Sequence, residues 1–135
     1  MDMGKFVSRW ILVTGIIIVL IGVVHSSFAP MMYQQMMKDE AIKDKAMGFV
    51  YFFAFDGFAI VFAGLLTVFS SFGLKKSEKW AWLIAISSTL FVAIGMIGAV
   101  TFAKFGNPMI YVASVSSISS VLLLLFFYKD FKNRS

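Results

Sequence analysis

The sequence predicts an all-α membrane protein: a bundle of four transmembrane helices, with a short amphipathic helix in the first outer loop. Three observations carry that prediction. Of the 135 residues, 60% are apolar and only 14% charged, against roughly 25% charged in a soluble domain. Mean hydropathy is +0.89, and a soluble fold of this size buries only about two-thirds of its surface, too little to hide so many apolar side chains. Four separate stretches also reach the roughly 20 apolar residues that a spanning helix needs. The length fits one domain over residues 1–135.

The spans are expected at Trp10–Ala29, Gly48–Phe72, Trp80–Phe102 and Pro108–Tyr128. Pro30 ends the first, because a proline lacks the amide a helix interior requires. Between Pro30 and Met47, residues Met32, Tyr33, Met36 and Met37 recur at helical spacing, with Gln34, Gln35, Lys38, Asp39 and Glu40 on other faces. That pattern predicts an amphipathic helix lying in the outer interface. Gly73 and the run Lys75, Lys76, Glu78, Lys79 separate the second span from the third. Gly106-Asn107-Pro108 opens the fourth as a turn, a cap and a proline at the first helical position.

Lys5, Arg9, Lys75, Lys76, Lys79, Lys129, Lys132 and Arg134 fall on one side of this layout. Lys38, Lys43, Lys45 and Lys104 fall on the other, the first three interleaved with Asp39, Glu40 and Asp44. The positive-inside rule then places both termini in the cytoplasm, as a multi-pass protein of a bacterial inner membrane. Ser27-Phe28-Ala29 looks like a signal cleavage site, but Pro30 directly after it argues against processing. Gly4 is not the second residue, so the Met3–Ser8 stretch is not expected to carry a myristoyl group.

Helical periodicity assigns faces. With 100° per residue, Ala59, Ile60, Ala63, Gly64, Thr67, Ser70 and Ser71 share Asp56's side of the second span. Phe55, Phe58, Phe62, Leu65, Phe69 and Phe72 form a stripe opposite. Small residues let helices approach and bulky ones suit lipid, so Asp56 is expected to point into the bundle. His25 shares a side with Gly15, Thr14, Ile18 and Gly22, and Ala81, Ala85, Ser88, Val92, Gly95 and Ala99 form a seam on the third span. The serines of the fourth span are too many to assign to one face.

Composition also removes activities. With no cysteine, thiolate metal sites, iron–sulfur clusters and cysteine nucleophiles are excluded within one chain. The single histidine, His25, rules out a His cluster, and the methionines of the first loop lack a cysteine or second histidine to complete a copper(I) site. No metal is expected. A haem would need His25 with a methionine, or His25 from two subunits. The basic residues sit at span ends rather than in a patch, so nucleic acid is not an expected partner.

Asp56 is the one ionisable residue well inside a span. A charge there costs roughly 3 kcal/mol on insertion scales and marks a functional candidate. His25 lies near the outer end of the first span, in the same outer half of the membrane, so a His25–Asp56 contact is expected. The candidate ligand-binding or proton-coupling residues are Asp56 and His25, with Thr67 and Ser88 on the corresponding faces. Lys104 and Asn107 would add polar groups at the cavity mouth. No nucleophile, base and orienting group occur together, so catalysis is not expected.

Gly22-Val23-Val24-His25, followed by Phe28-Ala29-Pro30, a second helix containing Gly57 and Gly64, and a short basic inner loop, resembles the DoxX-like small four-helix bacterial membrane proteins. The resemblance covers mainly the first half of the chain. It implies an accessory role linked to respiration or quinones. In size and helix count the chain is also similar to the small multidrug resistance transporters. It departs from them in that their acidic residue lies in the first helix, whereas Asp56 lies in the second. The expected function is therefore binding of a small hydrophobic molecule, a quinone or lipid, or of a partner subunit; the alternative is a proton-coupled transporter using Asp56. Assembly as a homodimer or within a larger membrane complex stays open.

Overall fold

The computed structural model describes residues 3–103 and 108–129. In chain order it contains α1 (Met3–Ser27), α2 (Ala29–Met36), a 3-10 turn at Lys43–Lys45, α3 (Ala46–Leu74), α4 (Lys79–Ala103) and α5 (Pro108–Phe126), with no strand among the described residues. Four helical segments are long and apolar enough to cross a membrane, the pattern of a multi-pass membrane protein. Lys104, Gly106, Asn107, Lys132 and Arg134 lie outside the described residues.

Two of the expected stop signals act differently. Pro30 does not end the helical path; it occupies the first turn of α2, where its missing amide leaves no bond unmade. The break falls two residues earlier, at Phe28, whose amide bonds back to the His25 carbonyl at 3.2 Å. Gly73 likewise lies inside α3, and a Cβ there would stand 2.6 Å from the Ala81 Cβ. Its smallness serves the close return of α4. The residue that takes the left-handed conformation in the α3–α4 turn is Ser77, at φ 58°.

The helices close into a ring in which α1 packs on α3, α3 on α4, α4 on α5 and α5 on α1, with α1 and α3 sharing the most extensive contact. That contact is written as two heptad series of small residues, Ser8, Gly15 and Gly22 on α1 against Ser71, Gly64 and Gly57 on α3. Ser8 Oγ donates to the Ser71 carbonyl at 2.7 Å. A Cβ on Gly15 would stand 3.0 Å from the Gly64 carbonyl oxygen, and one on Gly64 would stand 3.1 Å from that of Gly15. A Cβ on Gly22 would lie 3.0 Å from the Gly57 carbonyl oxygen and 2.7 Å from the Val61 amide nitrogen. Backbone meets backbone along this seam, which admits only one register.

Two apolar clusters, each drawing on α1, α3, α4 and α5, make the core. One contains Val7, Ile11, Leu74, Ala81, Ala85 and Leu124; the other contains Ile18, Ile60, Ala63, Val92, Met96 and Ala113. Between them lies a buried hydroxyl layer. Thr14 Oγ1 and Ser120 Oγ share a hydrogen bond of 2.9 Å between α1 and α5, and Thr67 Oγ1 and Ser88 Oγ share one of 2.8 Å between α3 and α4. Thr67 also donates to the Ala63 carbonyl and Ser88 to that of Ile84, so each hydroxyl is tied to its own helix as well as to its partner. Of the α5 serines, Ser117 and Ser120 face the core and Ser114, Ser116 and Ser119 are only partly covered. The aromatic stripe of α3, Phe55 to Phe72, is 53–72% exposed on the outside of the bundle.

Candidate functional site

At the end of the bundle that carries α2, the helices enclose a cavity of about 730 Å³, lined from α1, α2, α3, α4 and α5. Its existence follows from the way α3 and α4 diverge. The Thr67–Ser88 bond sets their antiparallel register, so each turn along α3 is matched by a turn along α4. Leu74 and Ala81, Ser70 and Ala85, Thr67 and Ser88, and Ala63 and Val92 are all buried. At the next two levels the cover thins on the α4 side: Ile60 is still buried, but Gly95, level with it, is exposed, and Asp56, level with Ala99, is half exposed. A Cβ added to Gly95 would meet nothing within 4 Å.

Asp56, expected to point into the bundle, lines this cavity together with His25. Its side chain is 53% exposed because α4 no longer covers the face of α3 that it occupies. It stands in the wall of the cavity rather than in the packed core.

The α1–α3 seam decides what faces Asp56. Gly22 against Gly57 leaves His25, one turn further along α1, beside Phe53 and Asp56. The imidazole stacks on the Phe53 ring with centroids 3.9 Å apart, which fixes its plane. His25 Nε2 then lies 3.5 Å from Asp56 Oδ2, outside the roughly 2.7–3.2 Å of a made hydrogen bond. Nε2 is enclosed and has no hydrogen-bond partner among the described residues. The two polar groups are thus neighbours with an unmade bond between them. A small rotation would close it, and a polar group of a bound molecule would bridge it.

Around this pair the surface is apolar. Phe28, Phe49, Phe52, Phe53 and Phe91 supply aromatic walls, and Met31 and Met32 of α2, Met96 of α4 and Met109 of α5 also line the space. A wide apolar pocket with one small convergent polar group is the usual form of a small-molecule site. Among the described residues, no three or more His, Cys, Asp or Glu side chains come together to hold a metal.

Thr67 and Ser88 are placed elsewhere. They are brought to each other, in the buried hydroxyl layer, and neither lines the cavity. Small polar residues on an inward face mark helix packing and ligand contact equally well, so periodicity could not separate the two. Conversely, Phe49, Phe52, Phe91 and Met109 line the cavity and are not among the expected site residues. No signal in the sequence marks the pocket, since Gly95 belongs to the same run of small residues as Ala85 and Ser88 and only the structure shows open space beside it. Comparison with family models, curated proteins and solved structures finds no match for the chain.

Proposed function

We propose that the protein is a multi-pass protein of a bacterial inner membrane, with both termini cytoplasmic, whose cavity binds a small hydrophobic molecule in an accessory rather than catalytic role. The single observation that carries this reading is the 730 Å³ apolar cavity with His25 and Asp56 as its polar pair. A quinone or a lipid is the ligand class, since either pairs a long apolar body with one polar end. The DoxX-like resemblance of the first half of the chain implies the same accessory role. Native mass spectrometry of protein extracted in a mild detergent tests the reading directly. A stoichiometric quinone or lipid on the chain supports it, and protein that carries neither under gentle extraction counts against it.

Proton-coupled transport is the second reading, favoured by one feature: a carboxylate that stands half exposed within a span and next to an imidazole. Four helices make a narrow pathway, so this reading leans on a homodimer. It predicts that Asp56→Asn inserts and folds normally yet loses transport; transport equal to wild type would end it.

A further inference from the structure

The cavity is open on one flank. Where α3 and α4 part, Phe52, Phe91 and Ile94 belong both to the cavity wall and to the outside of the bundle. Below that level the same helix faces are sealed by Ala63, Thr67, Val92 and Ser88. A molecule dissolved in the membrane therefore reaches the His25–Asp56 pair sideways, between α3 and α4, without crossing water. Charge then sorts what arrives. Asp56 is the one acidic residue in the lining, and no Lys or Arg is among the described residues that line it. A phosphate head group would meet a carboxylate, with His25 the one basic side chain among the described lining residues. An ammonium would meet that carboxylate and a set of aromatic faces, which attract cations within about 6 Å of the ring.

We propose that the cavity takes a single-chain amphiphile with a cationic head group, entering laterally between α3 and α4 so that its head lies against Asp56 and its tail in the crevice beside Gly95. This rests on the reading that the cavity binds a hydrophobic molecule and selects, within that class, by head-group charge. A carboxylate in a low-dielectric groove gains from a partner of opposite sign. The Asp56–His25 gap of 3.5 Å leaves the carboxylate without a made hydrogen bond.

The test uses the full chain in phosphatidylcholine nanodiscs and three decyl probes: decyltrimethylammonium, decyl phosphate and a decyl-substituted benzoquinone. Each is read as binding above that to empty nanodiscs. The ammonium is expected to bind at least tenfold more tightly than the phosphate or the quinone. Asp56→Asn should remove the preference, and Asp56→Glu should keep it. Gly95→Leu, which adds a side chain where there is open space, should weaken all three probes at least tenfold with an unchanged melting temperature. A quinone that binds as tightly as the ammonium, or a preference that survives Asp56→Asn, overturns the cationic assignment and leaves the hydrophobic-ligand reading standing. Undiminished binding to Gly95→Leu overturns the lateral route. If no probe binds above the empty nanodisc, both the inference and the underlying reading fall.

Discussion

Thr67 and Ser88, joined at 2.8 Å, form the only side-chain hydrogen bond between α3 and α4 among the described residues, and the cavity opens two turns beyond it. The pair acts as the crotch of a fork: below it the helices are sealed, above it they part. Interhelical hydroxyl bonds in membranes average about 0.6 kcal/mol by double-mutant cycle. Thr67→Val with Ser88→Ala should therefore show a coupling of that size in unfolding from detergent. Because neither side chain touches the cavity, ligand affinity should be unchanged by either substitution; a tenfold loss would return them to the site.

The glycines divide into two kinds that the sequence does not distinguish. Gly64 faces the Gly15 carbonyl and the Val19 amide, and a Cβ there would come within 2.7 Å of the latter. Gly95 faces nothing. Overpacking a filled interface costs about 1–3 kcal/mol, more where backbone must move. Gly64→Leu should lower stability by at least that amount, while Gly95→Leu should leave it within about 0.5 kcal/mol, the range of substitutions that disturb no contact. Thermal melts of the two variants side by side give the answer.

How legible the fold was follows from the same contrast. The four spans and the exposed phenylalanine stripe of α3 could be read directly, because length and period are local properties. The contact of His25 with the neighbourhood of Asp56 was accessible too, since the heptads Ser8, Gly15, Gly22 and Gly57, Gly64, Ser71 dictate one antiparallel register. The opening between α3 and α4 was not. The seam Ala81, Ala85, Ser88, Val92, Gly95, Ala99 is continuous in sequence, yet only its first four members are packed against α3. Divergence of two helices is set by tertiary contacts at both ends, and a run of small residues looks the same whether it meets a helix or a void. For that reason the inward faces point to Thr67 and Ser88 as site residues and give no sign of Phe52 and Phe91.

Asp56 should cost the protein stability. A carboxylate within a span is unfavourable by roughly 3 kcal/mol on insertion scales, and among the described residues only His25 Nε2, at 3.5 Å, stands near it to offset that. Asp56→Leu is expected to stabilise the bundle by about 1–3 kcal/mol in detergent unfolding, in keeping with the usual opposition between stability and a functional polar group. The same variant should lose ligand binding. Destabilisation instead would show that Asp56 holds the fold together, and the site would have to be built around His25 alone.

Orientation decides which compartment the cavity mouth faces, and the absence of cysteine makes it easy to measure. Gln35 on α2 and Lys76 in the α3–α4 turn are both exposed, at opposite ends of the bundle. Among the described residues, Lys5, Arg9, Lys75, Lys76, Lys79 and Lys129 lie at the Lys76 end, against Lys38, Lys43 and Lys45 at the α2 end. The positive-inside rule counts such short-loop charges and places Lys76 in the cytoplasm. An impermeant maleimide should label Gln35→Cys in intact cells and reach Lys76→Cys only after lysis. The opposite pattern would turn the His25–Asp56 cavity toward the cytoplasm and remove a periplasmic partner or ligand from consideration. Labelling of both positions in intact cells would mean that the four helices do not form one inserted bundle, and the lateral route between α3 and α4 would lose its membrane.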